Sequence, residues 1–265
     1  MPPAIAAALR EKYHLNDPLL VQYGNYLWAL LHGDFGIDFA GNSVSDTIKA
    51  SWPVTLKLGL TAWAIEAVLG VLLGTFAALR RGRTFDFGVL TATTLVYGVP
   101  YFVIAYVSQI AFGVKLHWFP VSGTDAGWPR SYILPAVVLA LFGLASVARL
   151  TRGSVLENLR ADHVDTATAK GLPRRLVIRR HVLRNSMIPV VSLLGLNLGG
   201  LLGATVLIEG IFNLPGIGYH IFVGIQQHNG PVVVGIGTLI VLVYVIVNLL
   251  VDITYAILDP RIRYD

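Results

Sequence analysis

The sequence predicts an all-α, polytopic integral membrane protein, and three observations carry that prediction. Of 265 residues, 55% are hydrophobic and 13% are charged, where an ordinary soluble domain has about a quarter of its residues charged. The mean hydropathy is +0.66. The apolar residues fall in blocks of about 20, the length a helix needs to cross a hydrocarbon core. Cysteine is absent, which excludes disulfides, thiolate metal sites and cysteine nucleophiles and leaves the redox compartment open. Near the start, Arg10, Glu11 and Lys12 occupy the place where a secretory signal would carry its apolar core.

Residues 1–52 are expected to form an external N-terminal helical segment, and residues 53–265 the transmembrane domain. Within the first segment, Ala6, Leu9, Tyr13, Leu20, Tyr23 and Leu27 fall on related helical faces, with a break at Asn16, Asp17 and Pro18. The stretch HGDFGIDFAGNSVSDTI that follows is rich in turn formers. An amphipathic hairpin or a docking surface for an external partner both fit.

Five spans are predicted. The first, 58–79, is interrupted by Glu66 alone. An ionised carboxylate at a helix centre costs about 2.5–3.5 kcal/mol on insertion scales. Ten Leu, Ile, Val and Phe residues in the span return about 0.3–0.6 kcal/mol each, so it inserts with Glu66 turned toward other helices. The second and third spans, 88–113 and 131–148, carry no charge, and Trp118 and Trp128 in the loop between them suit the membrane interface. The fourth span is 188–208. The uncharged region 210–251 is too long for one crossing. Its first half is punctuated by Asn213, Pro215, Gly216, His220 and Pro231 and is expected to be short and partly re-entrant, leaving 231–251 as the fifth span.

Basic residues set the orientation. Arg80, Arg81 and Arg83 follow the first span, nine Lys and Arg lie between 149 and 190, and Arg261 and Arg263 follow the last span. Threading the spans puts all of these on one side, which the positive-inside rule assigns to the cytoplasm together with the C-terminus. The first fifty residues then lie outside with nothing to carry them across, so a further span is expected ahead of them.

The loop 149–187 contains a complete short helix. Asp162 suits its N-cap and Asp165 its first turn. Lys170 belongs in the last turn, and Gly171 has the left-handed freedom that ends a helix, with Leu172 and Pro173 beyond it. A second helix is expected from Pro173 towards Pro189, lying at the lipid surface with its arginines outward. From the residues alone, the loop is either a short rigid plug for a partner's groove or a topology signal that binds anionic lipid. Nucleic acid is an unsuited partner, because the loop offers no aromatic stacking platform.

DTATAKGL followed by RRHVLRNSMIPV resembles the cytoplasmic coupling loop of permease subunits in ATP-binding-cassette importers, most of all the dipeptide/oligopeptide (peptide/nickel) branch. Asp165, Thr166 and Ala167 stand where the family has an acidic-Ala-Ala triplet, and Gly171 stands at its glycine. Asp for Glu, Thr for the first Ala, and a proline delayed to Pro189 depart from the general pattern towards the peptide branch. YHLNDPLLVQY, HGDFG, EGIFNLPGIG and NLLVDITYAILDPRIRY resemble further segments of that branch in the same order.

The resemblance implies a type I importer permease fold in a bacterial cytoplasmic membrane. It implies half of a translocation pathway for peptides, with cargo ranging from dipeptides to nickel chelates. The implied partners are a second homologous permease, two ATPase domains, an external substrate-binding protein and membrane lipid. Asp162, Asp165, Thr166, Ala167, Ala169, Lys170 and Gly171 would form the coupling helix seated in an ATPase cleft. The family also has a transmembrane helix ahead of the YHLNDP region.

Gly195, Gly199 and Gly203 recur at spacing four, which lets helix backbones approach closely; with the resemblance, that span is expected to pair across the pathway with the second permease. Glu66, Glu209 and Asp252 are ionisable groups near membrane depth and therefore functional candidates. Asn248 and Asp252 share a helix face as a buried polar pair. Glu209 is placed at the external mouth, within reach of a peptide's amino end. The seven histidines are dispersed without ligand spacing, so no metal site is expected. No Gly-x4-Gly-Lys-Ser/Thr occurs, so ATP hydrolysis belongs to partners, and neither a cofactor nor an enzymatic activity is expected of this chain. The alternatives are a secondary transporter driven by an ion gradient and a membrane-embedded enzyme. The halves show no internal repeat to support the first, and no paired carboxylates support the second.

Overall fold

The computed structural model describes residues 17–258, apart from the side chains at 252 and 254–258. Arg261, Arg263 and the segment 1–16 named above lie outside the described residues, as does the side chain of Asp252. The described residues form helices joined by short loops, with no strand beyond an isolated bridge between Ile37 and Ser43.

Helix α1 (Leu19–Leu31) begins directly after Pro18, and Tyr26 Oη meets Thr238 Oγ1 at 2.8 Å. Helix α2 (Val44–Leu79) is capped by Ser43, whose hydroxyl accepts the Asp46 N–H, and it runs unbroken through Pro53. It starts ahead of position 53, where the membrane domain was expected to begin. Gly70 lets α2 lie against α5 (Arg130–Asn158). A Cβ at Gly70 would sit 2.8 Å from Val147 Cγ1.

The expected second span is not one rod. Helix α3 (Thr84–Gly98) and helix α4 (Tyr101–Ser108), which continues as a π-helical stretch Gln109–Lys115, are bent by 105° at Val99–Pro100. Pro100 supplies no amide hydrogen and forces Val99 into extended backbone (φ −110°, ψ 130°), so the hydrogen-bond ladder stops there.

Helix α5 extends ten residues beyond the expected end of the third span at 148, so Arg149 and Arg152 are helical rather than loop residues. Helix α6 (Asp162–Ala169) and helix α7 (Arg174–Val177) follow. A π-helical stretch Ile178–Leu183 joins α7 to helix α8 (Arg184–Phe212). The expected surface helix and fourth span are therefore one continuous rod, Arg174–Phe212, with Pro189 inside it. Local π adjustment and neighbouring helices satisfy the backbone groups that an intramembrane proline frees. Helix α9 (Ile217–Gln226) is the short segment expected before the last span, and helix α10 (Gly230–Leu258) is that span.

Four described helices are long and apolar enough to cross a membrane, and the bent α3–α4 pair makes a fifth. Their shared core joins α2, α4, α5 and α8 through Leu58, Ala105, Leu139, Ile208 and Phe212. At one end, Val44, Ile48, Ile217 and Ile236 gather α2, α9 and α10. At the other, Ala78 and Val155 gather α2 and α5 around α6.

Candidate functional site

Helix α6 has two faces with different fates. Val164 and Ala167 are buried (6% and 4% exposed) against Ala78 of α2, Val155 of α5, and Val177 and Val182 of the following rod. Asp162, Asp165, Thr166, Ala169, Lys170 and Gly171 are exposed. Of the seven residues named for coupling, Ala167 alone faces inward, where it anchors the helix. The N-cap is Ala161, with no side-chain cap, so Asp162 is the first helical residue rather than the N-cap and the helix starts one position earlier than expected. Both aspartates occupy the first turn, where a negative charge suits the helix dipole.

The C-terminal end matches its sequence signature closely. Gly171 has φ +76°. Its N–H bonds Thr168 O at 2.9 Å and the Leu172 N–H bonds Ala167 O at 3.3 Å, the paired bonds of a Schellman stop. Leu172 packs onto the same apolar cluster. His163 adds a polar tie, with Nε2 3.3 Å from His181 O and 3.2 Å from Asn185 Nδ2. The helix is thus packed against two spans and tied to the base of the long rod.

Arg149 and Arg152 belong to neither face of α6. Arg149 donates to Thr93 Oγ1 and Thr94 Oγ1 at 3.0 and 2.9 Å and stacks on the Tyr97 ring. Arg152 pairs with the buried Asp86. The exposed basic side chains of this end include Arg80, Arg81, Arg83, Arg160 and Lys170 as well as Arg174, Arg175, Arg179, Arg180 and Arg184.

Glu209 is fully buried near the end of α8. Its Oε2 accepts the Tyr219 N–H at 3.0 Å, while Thr55 Oγ1 accepts the Ile217 N–H at 2.9 Å. The two side chains satisfy amides of the first turn of α9, which an isolated helix leaves unpaired. Helix α8 stops at Asn213 in the left-handed region (φ 51°), and Gly216 leads into α9. A Cβ on Gly216 would collide with both Glu209 and Thr55. EGIFNLPGIG therefore builds a turn between two helices around one carboxylate.

Glu66 is also fully buried, halfway along α2. Its Oε1 accepts a hydrogen bond from the Asn197 side-chain amide of α8, and its carboxylate lies against Gly143 of α5. Sequence reasoning found the acid but neither partner. Trp63 on the same helix donates to Leu194 O at 2.9 Å.

Residues 70–264 match the family model described as "Binding-protein-dependent transport system inner membrane component". The chain belongs to this family. It is 40% identical over 266 residues to the oligopeptide transport system permease protein OppB of Escherichia coli (strain K12), covering all of this chain and 87% of that protein. The protein of the same name from Haemophilus influenzae is 38% identical, covering 99% of this chain and 87% of its own length. Among solved structures, an inward-facing methionine ABC transporter superposes with TM-score 0.65 at 16% identity, covering 80% of this chain and 96% of its own. An amino acid ABC transporter superposes with TM-score 0.60 at 15% identity, covering 79% and 93%. The fold is that of a type I ABC importer permease, the chain is a multi-pass inner membrane protein, and the ion-gradient alternative is set aside.

The three spaced glycines of this permease have different surroundings. Gly199 meets α10, where a Cβ would lie 3.2 Å from Tyr244 Cδ2 and 3.3 Å from Asn248 Oδ1. Gly203 is exposed, with nothing within 4 Å, and Gly195 is half-buried. Among the described residues no group of three His, Cys, Asp or Glu is placed to hold a metal ion.

Proposed function

We propose that this permease forms half of a peptide-conducting pathway and is driven by separate ATPase subunits through α6. The observation that carries this reading is the division of α6 into a buried anchor, Val164 and Ala167, and an exposed face of Asp162, Asp165, Thr166, Ala169 and Lys170. A capped helix bolted to three elements transmits displacement, whereas a free loop absorbs it. The exposed face mixes two carboxylates, one ammonium and small side chains, and is suited to seat in a cleft with little steric demand. A peptide cargo is supported by the name of the 40%-identical relative. The exposed arginines at the α6 end support a cytoplasmic placement for that end, in contact with anionic lipid. A second permease lies against the open glycine face of α8 in this reading, and an external binding protein delivers cargo at the α9 end.

A chain without cysteine gives a clean crosslinking background. In membranes that also contain the ATPase subunits, a single Ala169→Cys substitution is expected to crosslink to the ATPase in a manner that changes with added ATP. Correct insertion without any crosslink would reduce the loop to a topology signal.

A further inference from the structure

Helices α2, α3, α4, α5 and α8 line an open groove of about 490 Å³, a volume typical of small-ligand pockets. Most of its wall is apolar, and no Lys, Arg or His lines it. Glu66, Asn197, Tyr97 and Tyr101 supply most of its polar atoms. The Asn197 amide holds Glu66 Oε1, but Glu66 Oε2 and the Tyr101 hydroxyl are buried without a partner among the described residues. Buried polar atoms of this kind are nearly always paired in folded proteins, and a lone acid at membrane depth is expensive. Gly143 shapes the arrangement, because a Cβ there would collide with the carboxylate.

We propose that this groove binds the ammonium group of the transported peptide, with Glu66 Oε2 as its counter-charge. The inference rests on the peptide-import reading above. An ammonium group carries three donors and no acceptor, which matches a site whose unpaired atoms are a carboxylate oxygen and a phenol oxygen. Aromatic walls strengthen the match. Tyr97 and Tyr101 each pack edge-on to Phe142, at centroid distances of 5.7 and 5.3 Å, and aromatic faces attract cations. Arg149 stacks on Tyr97, but Thr93 and Thr94 hold its guanidinium and it does not line the groove. The groove is reached past α8, where Leu196 is 50% and Leu207 43% exposed and nothing lies within 4 Å of a Cβ on Gly200.

Ser146 lines the groove, and Ser146→Cys gives the chain a single thiol. In the assembled importer in lipid vesicles, the rate of thiol labelling is measured with tri-alanine and with N-acetylated tri-alanine. Tri-alanine at about ten times its Kd slows labelling about tenfold, and the acetylated form does not. Adding Glu66→Gln removes the protection, and Glu66→Asp, which keeps the charge, retains part of it. That contrast reads the charge rather than folding. Equal protection by both peptides, protection that survives Glu66→Gln, or no protection by either overturns the site. ATP-driven uptake of tri-alanine is read separately in the same vesicles. Its absence overturns peptide import, whereas uptake without amine-selective protection removes the site alone.

Discussion

Arg152 grips Asp86 at two points, with Nη2 2.9 Å from Oδ2 and Nε 2.5 Å from Oδ1, and so joins α5 to α3. Asp86 is 3% exposed and also accepts the Gly82 N–H at 2.9 Å, so one carboxylate fixes both the helix pair and the turn before it. Removing one partner of a buried ion pair costs about 3–5 kcal/mol, and the partly open Arg152 puts this pair at about 3 kcal/mol. Arg152→Ala is expected to lower the thermal stability of the solubilised complex by that amount. A double-mutant cycle with Asp86→Ala checks the assignment, because purely additive effects would contradict a direct pair.

Glu209→Ala is expected to free the first turn of α9. Leaving a buried amide unsatisfied costs about 1–3 kcal/mol, and Glu209→Gln, which keeps an acceptor, costs less. Hydrogen exchange at residues 217–220 should accelerate in the Ala variant and change little in the Gln variant. Unchanged protection in the Ala variant would mean that the carboxylate does not hold α9.

Gly216 and Gly203 make a matched pair. Gly216→Ala drives a methyl into Glu209 and Thr55, whereas Gly203→Ala meets open space within this chain. The first is expected to reduce folded yield severely. The second should stay within about 0.5 kcal/mol of the parent in the isolated chain. Size-exclusion profiles from detergent extracts compare them directly.

Two substitutions test α6 as a mechanical part. Gly171→Pro cannot adopt φ +76° and is expected to abolish uptake while membrane insertion persists; Gly171→Asn, which tolerates that region, keeps most of it. Ala167→Asp places a charge in the anchoring cluster and is expected to separate ATP hydrolysis from uptake. Normal uptake in either Gly171→Pro or Ala167→Asp removes the coupling role.

The α6 signature was legible because every part of it is local: two aspartates in the first turn, small residues in the middle, a glycine at the stop. The inward turn of Ala167 was not, since it depends on where Ala78 and Val155 lie. The break at Val99–Pro100 had a local signal in the proline, but an uncharged run from 88 to 113 outweighed it. The merging of 174–212 into one rod went unread for the opposite reason, because Pro189 suggests an end, yet the α-helix runs through it. Glu209 stood out as an acid at membrane depth. Its true partner, the Tyr219 amide ten positions later, follows only once Asn213 turns left-handed and Gly216 admits the carboxylate. Glu66 needed three helices on the page before Asn197 and Gly143 became its neighbours.

The right-angle break has a consequence for how the chain is made. Helix α3 has 15 residues, about 22 Å of rise, against a hydrocarbon layer of about 30 Å. Neither half of the bent pair is long enough on its own to cross that layer. The side chains that fasten α3, Arg149 on Thr93 and Thr94 and Arg152 on Asp86, are on α5, which leaves the ribosome later. The contacts that fasten α3 into the bundle therefore form only after α5 has been made.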